Sequence, residues 1–277
     1  MHFPRCLLVY GLMHHKLTPR SRKMSGEKHC YEYPRPSITT DVAVFTTEGG
    51  RLQILLIQRG EAPEGWALPG GFLQVGDAQT ERAVAGGARP PANHFDFTLE
   101  DCARRELREE AGIEAGALQQ IGAFGDADRD PRGRYVTVAY WGFVHPSQHQ
   151  PRAGSDARAV SWQDIENLPD LAFDHNDLIA AALHAITSRR LETALFLELM
   201  PARFTYPEFH VAYEIASRRV IDRSSLHRRV LPFLREAIAP PPGTIGPAPR
   251  RGAHRPAIHY DKKRAIAAAN AAIGSPP

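Results

Sequence analysis

Apolar residues along the chain fall into short dense runs and longer periodic stretches. TDVAVFTT (40–47), LQILLIQR (52–59), RYVTVAYWGFV (134–144) and RAVSW (158–162) are rich in Val, Ile, Tyr and Trp and are bounded by Gly, Pro or charged turns, a pattern that predicts strands. Glu48-Gly49-Gly50 between the first two reads as a hairpin turn. Helical periodicity is found at 98–111 and 176–190. Strands and helices mixed over this length indicate an α/β or α+β domain.

The helix over 98–111 carries two faces. Thr98 and Asp101 have capping-box spacing, and Gly112 supplies a stop. Leu99, Cys102, Ala103, Leu107 and Ala111 form one apolar stripe. Glu106, Glu109 and Glu110 share a second face, at a mutual repulsion of about a few tenths of a kcal/mol per pair if solvated. Such a face is either plain solvated surface or a seat for a hard divalent cation, which takes carboxylate oxygens.

After residue 190 the pattern changes. Thr205-Tyr-Pro-Glu208 is a capping box with proline in the first turn, and Phe209, Ala212, Tyr213 and Ala216 continue a 3.6 period. Asp222 is a second N-cap, opening a helix over Arg223–Leu231 that is expected to end before Pro232. Leu226, Val230 and Phe233 mark its inner face, while Arg223, His227, Arg228 and Arg229 form a basic outer one. Two short helices with a tight joint read either as helix-turn-helix or as a small bundle with a solvated arginine face. Residues 239–256, rich in Pro, Gly and Arg, read locally as a linker, and 264–273 as a short Ala-rich helix.

Charge sharpens the division. Residues 1–200 carry 21 Lys+Arg against 26 Asp+Glu, whereas 201–277 carry 13 against 5. The net charge of +3 over 277 residues conceals this split, and an acidic partner is expected on the basic part. The three cysteines, Cys6, Cys30 and Cys102, are too few for a disulfide framework and too scattered for a zinc cluster, so a reducing, cytoplasmic setting is expected. The apolar run Cys6–Met13 is far short of a membrane span. Residues 1–33 are expected to be an unstructured leader, or to reflect a start codon placed too early, with Met24 as the real start.

Leu68-Pro-Gly-Gly-Phe72 followed by Arg105-Glu-Leu-Arg-Glu-Glu-Ala-Gly-Ile113 resembles the Nudix box, G-x5-E-x7-R-E-U-x-E-E-x-G-U with U a bulky apolar residue. The right half matches at every fixed position. In the left half, five residues on from Gly71 stands Asp77 instead of Glu, and twenty extra residues, 78–97, precede the helix. A surface loop absorbs such length at small entropic cost, and this one is expected to be disordered. The shorter Asp77 puts the usual support of Arg105 in doubt.

The resemblance implies an α+β sandwich, a mixed sheet between helices, over 34–172. It implies Mg²⁺ or Mn²⁺ held by Glu106, Glu109, Glu110 and the Gly71 carbonyl, with Arg105 in the catalytic set and Gly70 and Gly71 against the substrate. Its chemistry is hydrolysis of a nucleoside diphosphate linked to another group, and it assigns no single base. Gly125–Gly133 with Tyr135–Tyr140 resembles the segment of Nudix proteins that handle ADP-ribose, which would place Arg129 and Arg132 on phosphate or ribose. Either arginine could equally pair with a neighbouring aspartate. Leu171-Ala-Phe-Asp-His175 resembles a closing segment of that domain, with His175 read as a helix-start residue.

FTYPEFHVAYEIASRRVIDRSSLHRRVL (204–231) resembles the winged-helix half of Nudix-related transcriptional regulators of NAD metabolism, and Arg250–Tyr260 resembles the closing strand of their wing. The resemblance places a smaller winged helix-turn-helix domain over 173–260, followed by a tail over 261–277. Arg223, Arg228, Arg229, Arg250 and Arg251 would contact double-stranded operator DNA. Three functions remain open: an ADP-ribose-binding regulator acting as a homodimer, a plain Nudix pyrophosphohydrolase whose C-terminal part serves dimerisation or substrate enclosure, and an inactive scaffold.

Overall fold

The computed structural model describes residues 33–88, 95–148, 152, 157–188, 193–239 and 257–273. Leader residues 1–32, Cys6 and Cys30 among them, lie outside the described residues, as do Arg250 and Arg251. The chain is built on β1 (Ser37–Glu48), which turns through Gly49 and Gly50, both left-handed, into antiparallel β2 (Arg51–Arg59). Short β3 (Gly65–Ala67) and β4 (Gly70–Phe72) follow, then α1 (Ala78–Ala85), α2 (Leu99–Ala111), β5 (Leu118–Phe124), β6 (Tyr135–Phe143) and β7 (Ala157–Asp164). The sheet runs β3-β2-β1-β6-β5, with β4 paired to β1 and β7 to β2. Among the described strands of this sheet β1 and β6 pair in parallel, in register from Ser37↔Tyr135 to Phe45↔Phe143, while the other strand pairs are antiparallel, so the sheet is mixed.

β1 is apolar on both faces because both faces are covered. Val42 and Val44 point into a core under α2 with Leu55, Leu107 and Ile113. Ala43 and Phe45 point the other way, into a larger core with Ile54 and Leu56. That second core is roofed by α3 (His175–Ser188) and by the helical C-terminal half: α4 (Thr193–Leu197), β8 (Arg203–Thr205), α5 (Tyr206–Ser217), α6 (Arg223–Glu236), β9 (Ile238–Ala239), β10 (His259–Asp261) and α7 (Lys262–Ile273). A ladder of rings crosses between the halves: Trp141 to Phe143 (5.3 Å), Phe143 to Phe196 (4.9 Å), Phe196 to Tyr213 (4.7 Å).

The C-terminal half is a winged-helix arrangement. α5 and α6 form the helix-turn-helix, and β8, β10 and β9 form a small antiparallel sheet beside it. Glu208 accepts from the Thr205 N–H (2.6 Å), and Asp222 accepts from the Ser225 N–H (2.8 Å), so both expected caps form.

Several expectations are corrected. α6 does not stop before Pro232 but runs on to Glu236. Pro232 and Arg228 are exposed, so the carbonyl left without a donor faces water, while Leu234 and Ala237 beyond them are fully buried and hold the last turn in place. The segment over 261–277 is not a free tail through its described part. α7 buries Ala265 and Ala269, and Asp261 accepts from the Arg264 N–H (3.0 Å) at its start. The insertion is not a featureless loop either: Asp77 caps α1 through the Thr80 N–H (2.7 Å). Residues 89–94 of the insertion lie outside the described residues.

Candidate functional site

β4 is wedged between β1 and the acidic face of α2. The Gly70 N–H donates to Glu110 Oε2 (2.8 Å). A Cβ on Gly70 would collide with the Thr40 carbonyl, and one on Gly71 would stand 2.5 Å from the Glu106 carboxylate. The two glycines are therefore needed for the strand to approach the carboxylates this closely.

Arg105 is the pivot of the site. Its guanidinium is almost wholly buried and forks onto Asp96 (3.0 and 2.8 Å), while also donating to the Phe72 carbonyl (2.9 Å). Its third nitrogen reaches Glu106 (2.6 Å) and Glu109 (3.1 Å). Burial disfavours its charge, but the Asp96 and Glu106 carboxylates prevail and hold its pKa above the usual value. Burial would raise Asp96, yet the bonds from Arg105 and the Gln74 N–H hold its pKa below the ordinary range.

The expected acid of the box, Asp77, therefore does not serve Arg105. Asp77 caps α1 at the entrance of the insertion, and Asp96, at its exit, grips the arginine. Gln74 and Asp96 are bonded in both directions (Gln74 N–H to the Asp96 carboxylate, 2.8 Å; Asp96 N–H to the Gln74 carbonyl, 2.9 Å), so the insertion leaves and returns at one point. Counting back from Arg105 instead of forward from Gly71 reaches Phe97, one residue from Asp96.

Glu106 and Glu110 are shielded from water, and both pKa values are raised. Burial is the first cause for each. For Glu110, the charges of Glu106 and Asp41 add to burial and exceed the help of the Gly70 N–H and Arg59, pushing it up to about 8. Among the described residues no three His, Cys, Asp or Glu side chains converge as a ready metal cage. Glu106 and Glu109 lean on Arg105 instead, and Glu110 on Gly70. The donor set still fits a hard divalent cation in type, because two crowded carboxylates lack full charge compensation. Arg105 keeps its Asp96 fork if the half-exposed Glu109 turns outward.

The opposite wall is made of ion pairs. Arg129 forks onto Asp174 (2.9 and 2.7 Å) and lies 3.6 Å from Asp41, so its guanidinium is committed inside the protein. Arg132 forks onto Asp130 (3.0 and 2.7 Å) but keeps about a quarter of its side chain exposed. Both arginines thus form internal Asp–Arg pairs, and only Arg132 retains open surface. His175 starts α3, as expected, but is also a buried strut: Nδ1 accepts from the Leu68 N–H (2.9 Å) and Nε2 lies 3.5 Å from Asp41. Burial lowers its pKa, which keeps it neutral. Arg59, Phe173 and Asp174 complete this wall and were not among the expected site residues. Phe173 holds a left-handed backbone (φ 59°), a conformation no sequence pattern announces.

On the far half, Arg223, Arg228 and Arg229 are exposed along α6. Arg223 sits over the Tyr206 ring (5.8 Å), and the charge of Arg229 acts on the buried Tyr213 hydroxyl. No helix among the described residues is long and apolar enough to cross a membrane.

A NUDIX domain family model matches residues 36–182. The chain is 35% identical over 204 residues to the ADPR responsive transcriptional repressor NtrR of Acinetobacter baylyi, covering 72% of this chain and 74% of that protein. It is 33% identical over 149 residues to an ADP-ribose pyrophosphatase of Methanocaldococcus jannaschii, covering 53% and 73%. The crystal structure of Shewanella oneidensis NrtR complexed with a 27mer DNA is similar with a TM-score of 0.61 and 28% identity, over 83% of this chain and 95% of that one.

Proposed function

The chain belongs to the NUDIX family, and on that premise we propose that it is a transcription regulator whose Nudix half binds ADP-ribose or a close nucleoside diphosphate derivative and whose winged helix binds operator DNA as a homodimer. The observation that carries this reading is the C-terminal half itself: a helix-turn-helix with an exposed arginine row and a small sheet, in a chain 35% identical to an ADPR-responsive repressor. A single Nudix sandwich has no need of that half. Its division is an acidic-carboxylate half over 34–172 and a DNA-binding half over 173–260.

Coupling between the halves has a physical route. α3 begins at His175, directly after the Asp174 that holds Arg129, and near its other end the Thr187 carbonyl accepts from Arg219 in the helix-turn-helix joint. A ligand that acts differently on two arrangements of α3 shifts DNA affinity by that difference.

Hydrolysis is a second activity, favoured by the complete Glu106, Glu109 and Glu110 set and by similarity to an ADP-ribose pyrophosphatase. The family generally uses divalent metals; here Mg²⁺ or Mn²⁺ would be held by these glutamates and the Gly71 carbonyl. A bound cation would supply charge neutralisation for the diphosphate and polarise water. The chain's own part is to hold Arg105 on Asp96, seat Glu110 under Gly70 and keep the carboxylates on one helical face.

The deciding experiment is binding of the full chain to duplex DNA from its own upstream region, with and without ADP-ribose. Salt-sensitive specific binding that changes with ADP-ribose is expected. No DNA affinity even at low ionic strength overturns the regulator reading, and unchanged turnover in folded Glu109→Gln or Glu110→Gln protein overturns the metal assignment.

A further inference from the structure

The joint between α5 and α6 is held by polar side chains. Arg218 ends α5 in a left-handed conformation (φ 54°), and Asp222 already caps α6. Val220 between them is 97% exposed, so packing does not anchor the joint at that residue. Ile221 belongs to neither helix, and neither helical ladder supplies partners for its N–H and carbonyl. Both partners come from α5. Glu214 Oε1 accepts from the Ile221 N–H (2.9 Å), and His210 Nε2 lies 3.0 Å from the Ile221 carbonyl. A carbonyl only accepts, so Nε2 carries the proton of that bond.

A third residue of the same α5 face completes the hold. Tyr206, His210 and Glu214 follow one another at intervals of four and so share one stripe of the helix. The Tyr206 hydroxyl donates to the Arg223 carbonyl in the first turn of α6. Its ring lies under the Arg223 guanidinium (5.8 Å) and meets the His227 ring edge-on (4.7 Å, 76°). The apolar anchors of α6, Leu226, Val230 and Leu234, begin only after this first turn. The direction in which α6 leaves the joint is therefore set by bonds to the backbone of Ile221 and Arg223, on either side of the cap Asp222.

We propose that Tyr206, His210 and Glu214 are positioning residues for DNA readout, a clamp that presents the first turns of α6 to the bases at one fixed angle. The N-terminal residues of a recognition helix are those that meet base edges. Base hydrogen bonds need placement to within about 0.5 Å, from side chains that are themselves locked. Phosphate attraction is independent of sequence and less demanding of angle. The clamp thus governs discrimination between sequences and leaves general duplex affinity nearly untouched. This rests on the C-terminal half binding duplex DNA, and it specifies what sets the selectivity of that half.

The test compares full-length wild type with Tyr206→Phe, Glu214→Ala and Glu214→Gln, with thermal melts to confirm folding. Tyr206→Phe deletes a single oxygen, so the test survives if Glu214→Ala does not fold. Fluorescence anisotropy across a salt series measures binding to two labelled duplexes, one from the chain's own upstream region and one of scrambled sequence. Amide hydrogen exchange without DNA follows Arg219–His227. Tyr206→Phe and Glu214→Ala should bind the upstream duplex about 10-fold more weakly, with scrambled-duplex affinity and salt slope unchanged, because no phosphate contact is removed. Glu214→Gln keeps a carbonyl acceptor for the Ile221 N–H and should recover most of the loss. Exchange should quicken in the two weakened variants. A merely structural role would weaken both duplexes alike. An upstream-to-scrambled ratio equal to wild type in the folded variants overturns the clamp. If wild type shows no preference for the upstream duplex, the operator reading falls and exchange decides the clamp: faster exchange upholds it, and unchanged exchange overturns it.

Discussion

Asp96 holds Arg105 by a two-pronged bond although it stands nineteen positions after Asp77, the position at which the box pattern puts its acid. The two aspartates should consequently behave differently. Asp96→Ala leaves a buried guanidinium with only its partial contacts to Glu106, Glu109 and the Phe72 carbonyl, and should cost about 3 kcal/mol. Asp77→Ala removes a helix cap and should cost about 1 kcal/mol. Chemical denaturation of both variants checks this ranking, and the reverse order would return the role to Asp77.

The two glycines of β4 should also separate. In Gly70→Ala the new methyl meets the Thr40 backbone, which cannot step aside, so a loss of about 3 kcal/mol is expected. In Gly71→Ala the clash is with the end of the Glu106 side chain, which can swing away. That variant should melt near wild type yet lose metal-dependent ADP-ribose turnover at least about 10-fold, because a displaced carboxylate misplaces its charge. Melting curves and turnover assays read the two effects independently.

His175 predicts a pH dependence. Its folded pKa is lowered by burial, helped by Arg129 and Arg59 and opposed by Asp41 and Asp174. The unfolded chain, with an imidazole pKa of about 6.5, therefore binds more protons than the folded one as pH falls. The stabilisation is complete above about pH 6.5 and declines below it. The raised Glu106 and Glu110 carboxyls add a slope of opposite sign over the same range, so the His175 contribution is read as the difference in melting temperature between wild type and His175→Asn, which keeps an acceptor for the Leu68 N–H. That difference should shift against wild type from about pH 6.5 toward pH 5. A difference that does not change with pH over that range contradicts a neutral buried imidazole.

On DNA, Arg228→Ala is the cleaner single change, because the charge of Arg229 also acts on the buried Tyr213 hydroxyl within the protein. Loss of one phosphate contact should lower the slope of log affinity against log salt by about 1, and the Arg228→Ala, Arg229→Ala double variant by about 2. Fluorescence anisotropy with a labelled duplex across a salt series measures both slopes. Slopes equal to wild type would move the DNA contact off α6.

Much of this was legible from the residues alone. The strands around Val42–Phe45 and Ile54–Ile57, the capped helix Leu99–Ala111 and the paired helices α5 and α6 carry local signals strong enough to read. β4 was visible only as a motif, since its two glycines disfavour a strand and Gly-Gly-Phe pairs because β1 offers an open edge. Helix α6 outran Pro232 because tertiary burial of Leu234 outweighs a solvent-facing break. Asp96 and Arg59 escaped notice because their importance depends on contacts across 9 positions in one case and on the Phe173 ring, far along the chain, in the other. Arg129 and Arg132 were noticed for their chemistry, but sequence could not say that each already had an aspartate to itself.

The ladder from Trp141 through Phe143 and Phe196 to Tyr213 bears on how the protein can move. A DNA-binding module on a string can swing freely, and its sensor then works by catching or releasing it. Here the edge-on and tilted ring contacts weld the reading head to the sheet, so a swing would tear open a close-packed interior. A message from the carboxylate face must instead pass as a slight shift of packed helices, more like torque along a shaft than the opening of a door. The same weld makes the two halves melt together, so calorimetry on the full chain should see one transition.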